Sequence, residues 1–445
     1  MLKIKIPKGT EITGLLIANI ISKWGVLEEK RIDKLEKYYT GEHEILKREV
    51  GPDKPNNKLV INYAKLITDN ATGYFMGVPV TYESDDKALL DQVFEILDDN
   101  CEEDTNFELA KSMSMCGRAF ELVYADETAN VRFKEIDKKT IIPVYSDDIE
   151  ETMIFAIRKY QTENIITGEK LDKAEVYTAD EIIYFHSSNG RLEEFERKDH
   201  YFGEVPIIEY PNNNELMGDF EIVLSLIDAY NKSQSDTAND FEYFTDAYLK
   251  LVGMDATEGT DIKTMKENRV LLIPPEGEAD WLIKNINDAA TENNKTRLQT
   301  DIHRISQVPD LTDEKFAGNV SGEAMKYKLW GLEQIASIKE RKFKSPLIKR
   351  LRMITNFLNI KGGQYDYNKI NLKFHRNIPR NLVELVDMVK DLSGILSEKT
   401  QLSQLPFVDD ADAEIARKDE ERKKMIDESD PYSFEKGNED TGDQE

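Results

Sequence analysis

SLIDAYNKSQSDTANDFEYF, residues 225–244, carries apolar side chains at both ends and almost none between. The helical pattern begins near Gly218 and runs to Leu249, about thirty residues or roughly 45 Å at the helical rise. Val223, Leu224 and Ile227 mark one end, and Phe241, Phe244 and Tyr248 the other. The middle, NKSQSDTAND (231–240), is polar on every face except for one alanine. A helix polar all round does not sit in a monomer's core; it bridges modules or lines a wet surface. The stretch therefore points to an α+β protein built for assembly.

Upstream of that helix the period changes. From Gly117 to Tyr210 the pattern is mostly that of antiparallel strands: AFELVYA and VRFKEI read as a hairpin, and MIFAIRKY (153–160) and AEVYT (174–178) add strands. EIIYFHS and RLEEFER flank Asn189-Gly190, the strongest short hairpin signal in the chain. Earlier still, Leu2, Ile4 and Ile6 suggest a short strand before an amphipathic helix, and 35–50 is helical up to Thr40-Gly41. A helix is expected over about Lys58 to Thr72, then the strand VPVTY, and a helical stretch from Lys87 to Met115.

Downstream lies a small α/β insert: YLKLVGM, the helical DIKTMKEN, and strands within RVLLIPPEGEADWLIKNI. Leu251, Met254, Leu272 and Trp281 give it more apolar surface than so small an insert can bury alone. The helix 288–308 carries one narrow stripe, Leu298, Ile302 and Ile305, the mark of a seam against a single neighbouring helix. After Pro309, DLTDEKFAGNVS reads as a loop. A helix is expected from Ser321 to Ile360, kinked or broken near Lys342–Ser345 by Pro346. KINLKFHR (369–376) reads as a strand, helices are expected at 380–396 and 411–426, and the acidic stretch from Asp427 reads as disordered.

Composition narrows the function classes. The formal net charge is -27, which repels nucleic acid at long range and argues against a protein that grips phosphates. Cys101 and Cys116 are too few for a disulfide framework or a zinc site, which suggests a reducing compartment. The apolar run Leu15 to Ile21 is too short to span a bilayer, so no membrane role is expected. There is no G-x-x-x-x-G-K-[ST] loop, and His43, His186, His200, His303 and His375 are scattered. No catalytic residue, metal or cofactor is expected. Seven basic residues between Lys339 and Arg352 face one acid, Glu340. That cluster reads as a helix face pairing with acidic surfaces of its own or a neighbouring chain, with a nucleic-acid contact as the alternative.

Several runs, taken together, resemble the portal family of long-tailed phages that infect Gram-positive bacteria. They are YYTGEHEIL (38–46), NNKLVINYAKLITDNATGYFMGVPVTY (56–82), FAIRKY (155–160), SLIDAYNKSQSDTANDFEYF (225–244), SGEAMKYKLWGLEQIASIKERKF (321–343) and LPFVDDADAEIARKDEE (405–421). The resemblance implies a portal-type fold: a mixed α/β wing (1–217 and 322–381), stem helices (218–248 and 286–308) and a clip (249–285). A tunnel loop (309–321), a long kinked helix behind it, a helical crown (382–426) and an acidic tail (427–445) complete it. It implies a ring of twelve subunits through which double-stranded DNA passes. Its expected partners are the terminase large subunit, a head-to-tail adaptor, and capsid and scaffolding proteins, in the virion and, during assembly, in the host cytoplasm. Asp313, Glu314, Lys315, Phe316 and Asn319 would then face the channel, and neighbouring clips would share Trp281. A metal-dependent nuclease or a monomeric adaptor of a mobile element are the rival readings.

Overall fold

Along the chain the elements are β1 (Ile4–Ile6), α1 (Gly14–Trp24), a π-helical segment (Gly25–Glu29), α2 (Lys30–Thr40), α3 (Tyr63–Met76), β2 (Thr81–Glu83), α4 (Lys87–Asp99) and α5 (Glu102–Cys116). Strands β3 (Arg118–Ala125), β4 (Val131–Ile136), β5 (Ile141–Ser146), β6 (Met153–Glu163), β7 (Lys170–Tyr177), β8 (Glu181–Ser188), β9 (Arg191–Asp199) and β10 (Ile207–Pro211) follow. Then come α6 (Leu224–Phe244), β11 (Tyr248–Val252), β12 (Glu278–Leu282), α7 (Asp288–Ser306), α8 (Gly322–Lys328), α9 (Trp330–Ile360), β13 (Asn371–Lys373), α10 (Glu398–Leu402) and α11 (Ala411–Ser429). This computed structural model describes residues 2–52, 54–163, 165–166, 168–188, 190–244, 248–252, 263, 278–282, 288–311, 322–377, 389–403, 405, 408 and 411–429. It has two units, Met1–Asn319 with Met325–Asn377, and Val320–Ala324 with Ile378–Glu445.

In the first unit a six-stranded sheet runs β1-β5-β6-β7-β8-β9, antiparallel except for the parallel pair β1–β5. Its strand period sorts side chains onto two faces. Ile142, Ile157 and Val176 pack with Ile17, Ile20 and Trp24 of α1, whereas Ile141, Ala156 and Tyr177 pack with Phe120 and Ile207. Phe120 and Ile207 belong to a second antiparallel sheet, β10-β3-β4. Thr13 caps α1 by accepting the Leu16 amide. Gly14 is required there, because a Cβ would lie 1.8 Å from the Leu192 carbonyl oxygen of β9. On the smaller sheet lie α5 and α9, with α3 packed against both. Phe343 of α9 is fully buried, 5.7 Å from Phe75 of α3 and 4.7 Å from Tyr210 of β10, ring centre to centre. In the second unit, α10 and α11 pair through Lys399–Asp412 at 2.6 Å and Lys418–Glu398.

Several boundaries differ from those the pattern suggests. The helix expected from Lys58 begins at Tyr63, capped by Asn62, which accepts the Lys65 amide. Leu59 and Val60 lie in the irregular segment before it. Lys87–Met115 is two helices, separated at Cys101 with φ +47°. β5 was not anticipated. Its Pro143 is tolerated because pairing to β1 begins one residue later, at Val144. The helix expected to run to Leu249 is described from Leu224 to Phe244, and Tyr248 already belongs to β11. The long helix is interrupted at Leu329, not at Pro346, where α9 runs on unbroken. Phe343, Leu347 and Arg350 are all buried around the proline, and that packing holds the helix through the missing amide.

Candidate functional site

Helix α6 is where sequence and structure diverge most. Asn231 and Ser235, in its polar middle, are fully buried, and the surface they meet is the same chain's segment 57–61. Asn231 Oδ1 accepts the Ile61 amide at 2.9 Å, Ser235 Oγ the Leu59 amide at 2.9 Å, and Asn239 Oδ1 the Asn57 amide at 2.7 Å. The spacings match: four helical residues rise about 6 Å and two extended residues about 6.6 Å, so every fourth side chain meets every second amide. α6 thus takes the place of a neighbouring strand for this segment. Of the polar middle 231–240 only Asn231 and Ser235 are buried and the other eight residues are half-buried or exposed; those two short acceptors go inside because each finds its donor. The stripe Asn231, Ser235, Asn239 was visible in the sequence; what was missing was its partner.

His43 closes one end of this ladder. Asn231 gives its Oδ1 to Ile61, so its Nδ2 donates to His43 Nδ1 at 2.8 Å. His43 Nε2 then donates to the Tyr38 carbonyl oxygen at 2.9 Å. The ring is neutral in this network, and burial pushes its pKa below the ordinary value. It stacks on Tyr38, whose hydroxyl donates to Asp228 of α6 at 2.7 Å. On another side α6 packs against α7, and Tyr63 of α3 meets Tyr230 and His303 edge to face.

α9 is fixed by buried ions. Arg350 is fully buried; its Nε lies 3.0 Å and its Nη2 2.6 Å from the two oxygens of Glu121, with Nη1 2.9 Å from Asn106 Oδ1. Burial opposes its charge, but Glu121, Tyr210, Tyr82 and Glu102 together hold it above the ordinary arginine range. Burial also lifts the Glu102 carboxyl above the usual range, with Arg350 opposing. Lys339, likewise buried, lies 2.7 Å from Asp219 and 2.6 Å from Asn212 Oδ1; burial pulls its ammonium down, and Asp219 resists. Arg352 pairs with Glu204, and Lys349 donates to the carbonyls of Val205 and Ile207 at 3.0 and 3.2 Å. The basic cluster is therefore largely a set of clamps inside its own chain. Among the described residues no group of three His, Cys, Asp or Glu side chains is placed to hold a metal ion, and no helix is long and apolar enough to cross a membrane.

The family model for "Phage portal protein, SPP1 Gp6-like" matches residues 26–428. The chain belongs to this portal family. It is 28% identical over 416 residues to the portal protein of Bacillus phage SPP1, covering 86% of this chain and 82% of that one. It is 26% identical over 433 residues to the portal protein of Clostridium phage phiCD119, covering 90% and 93%. A solved structure titled "Neck of empty GTA particle computed with C6 symmetry" aligns with a TM-score of 0.46 and 13% identity, covering 77% of this chain and 90% of that one. The portal family is a structural one, its members are virion components, and the curated relatives come from phages of Gram-positive hosts.

The site residues expected of a portal protein are brought together unevenly. In the seam on α7, Ile302 is buried and Leu298 half-buried, while Ile305 is 45% exposed. β11 and β12 form an antiparallel pair that sets Trp281 opposite Leu249 and Leu251 opposite Ala279. Met254, Leu272, Asp313, Glu314, Lys315, Phe316 and Asn319 lie outside the described residues, as do the side chains of Leu251 and Trp281. Asp310, at the start of the expected tunnel loop, accepts from Gln299 of α7 at 3.2 Å.

Proposed function

We propose that this chain acts as a portal subunit: one member of a closed ring at a capsid vertex, through which double-stranded DNA enters during packaging and leaves at ejection. The observation that carries this reading is the portal family match from residue 26 to residue 428, nearly the whole chain. In it, 1–217 and 322–381 are the wing, 218–248 and 286–308 the stem helices, 249–285 the clip, 309–321 the tunnel loop, 382–426 the crown and 427–445 a tail. The packing of α6 on α7 supports a paired stem, and the antiparallel β11–β12 pair between them supports a compact clip.

In this reading the ring has twelve subunits, and the protein performs no chemistry of its own. Force comes from a terminase motor docked on the clip, later replaced by a head-to-tail adaptor, while capsid and scaffolding proteins hold the rim. The acidic balance of -27 suits a conduit, because a basic wall would hold phosphates by counterion release and stall their passage. The test is light scattering on the purified chain at micromolar concentration, with negative-stain imaging. Rings with a central hole are expected; a stable monomer at every salt concentration overturns the reading. Incubation with plasmid DNA and Mn²⁺ or Mg²⁺ separates it from the nuclease alternative, which requires cleavage.

A further inference from the structure

One part of the basic cluster is left over from the clamps. Arg341, Lys342, Lys349 and Arg352 line a cavity of about 440 Å³ between α9 and β10, with Met153, Ile208 and Pro346 among its walls. Arg352 is matched by Glu204, and Glu209, also in the lining, is held by Arg118 at 3.4 Å and by the Tyr145 hydroxyl. Among the described residues the other three cations have no carboxylate in direct contact. Lys342 reaches only the Asn214 amide oxygen, Lys349 only two backbone carbonyls, and Arg341 is exposed with no partner among the described residues. Burial brings the Lys349 ammonium down to about 8, so keeping that charge at neutral pH is a cost that no carboxylate of this chain in direct contact offsets.

The opposite imbalance lies on α4. Asp91, Glu95 and Asp98 are exposed and spaced four and three apart, so they share one helical face, and none has a cation partner among the described residues. Phe94, 39% exposed, lies beside them. Like charges at these spacings repel, and no cation among the described residues pairs with them. No residue of α4 lines the cavity, so one copy does not satisfy both patches.

We propose that the cavity between α9 and β10 receives the acidic face of α4 from a second copy of this chain, Asp91, Glu95 and Asp98 entering among Arg341, Lys342 and Lys349. A ring closes through heterologous contacts, in which one patch meets a different patch on the next copy, and these two surfaces are complementary in charge. An open pocket of this size suits a few carboxylate side chains better than the regular convex backbone of a duplex, and the charge of -27 repels a duplex at long range. The proposal rests on the ring reading above.

The test is a charge swap on the full chain. Arg341→Glu/Lys342→Glu and Asp91→Lys/Glu95→Lys/Asp98→Lys are made separately and together, all at surface positions, with thermal melts to confirm folding. Sedimentation then gives the concentration of half-assembly at two salt concentrations. Each set alone is expected to raise it by about tenfold or more, and the combination to restore most of the loss. The milder Arg341→Gln/Lys342→Gln serves if a reversed variant fails to fold, and is expected to weaken assembly in the same direction. Assembly of Arg341→Glu/Lys342→Glu at wild-type concentrations overturns the docking, and so does failure of the combination to rescue. A labelled duplex oligonucleotide is titrated in parallel; lost DNA binding with unchanged assembly reassigns the cavity to nucleic acid and overturns it too. Wild-type chain that never assembles sinks the ring reading itself, a result distinct from these.

Discussion

Arg350 stands where α5, β3 and α9 meet, and its two carboxylates are unequal. Glu121 is fully buried and grips the guanidinium with both oxygens, whereas Glu102 lies 3.5 Å from one nitrogen and is pushed toward its neutral form by burial. Removing one partner of a buried pair leaves the other charge uncompensated, so Glu121→Gln is expected to lower stability by about 3–5 kcal/mol. Glu102→Gln should cost far less, because an amide still bonds to Tyr82 and Asn106 and no longer resists desolvation. Guanidinium denaturation of the two variants decides; equal losses refute the distinction. Lys349 adds a pH dependence of the opposite kind to a salt bridge. Its pKa is about 8 when folded and near the ordinary lysine value when unfolded, so between these values the unfolded chain holds the extra proton. Stability should therefore rise from pH 8 toward pH 10, and Lys349→Met should flatten that rise in urea titrations.

At the scale of elements, the ladder between α6 and segment 57–61 makes the sharpest claim. Ser235→Ala takes from the Leu59 amide the acceptor that the buried Ser235 hydroxyl provides, which costs about 0.5–1.5 kcal/mol. Hydrogen exchange should quicken at Leu59 and Ile61 while the core amides of β6 and β7 stay protected; exchange unchanged at Leu59 would show that the contact is not maintained in solution. The same region shows why some of the fold could be read and some could not. The β8–β9 hairpin was legible because an Asn-Gly pair between alternating strands fixes its own geometry. The start of α3 was not, because Leu59 and Val60 continue an apolar helical period, while acceptors some 170 residues away, Asn231 and Ser235, hold the amides of this segment outside the helix. At Pro346 the helix does not break: the burial of Phe343, Leu347 and Arg350 keeps α9 continuous through a local helix breaker. The basic cluster was legible as charge, but its division into clamps and a remainder required Asp219, Glu121 and Glu204, which no local pattern connects to it.

For the whole molecule, the family was readable because six separated runs occur together and in order, although no single run would suffice. What the sequence leaves for experiment is the channel, and Lys315 gives the most direct test. In the expected loop 309–321 it is the single cation beside Asp310, Asp313, Glu314 and the apolar Phe316. Repeated around the proposed ring, one lysine per loop would make a circle of positive points in an otherwise acidic passage. Each would meet passing phosphates briefly, since salt screens such contacts and a single charge is easily released. The competing arrangement pairs Lys315 with Asp313 or Glu314, in which case DNA never meets it. Reversal of the charge separates the two. Lys315→Glu should leave ring formation intact, because a loop at a channel wall contributes little to the packed interfaces. It should nevertheless reduce the DNA packaged per particle, by slowing or aborting translocation, with the deficit smaller at higher ionic strength. Intact Lys315→Glu rings that package a normal length of DNA would reduce the loop to a passive collar.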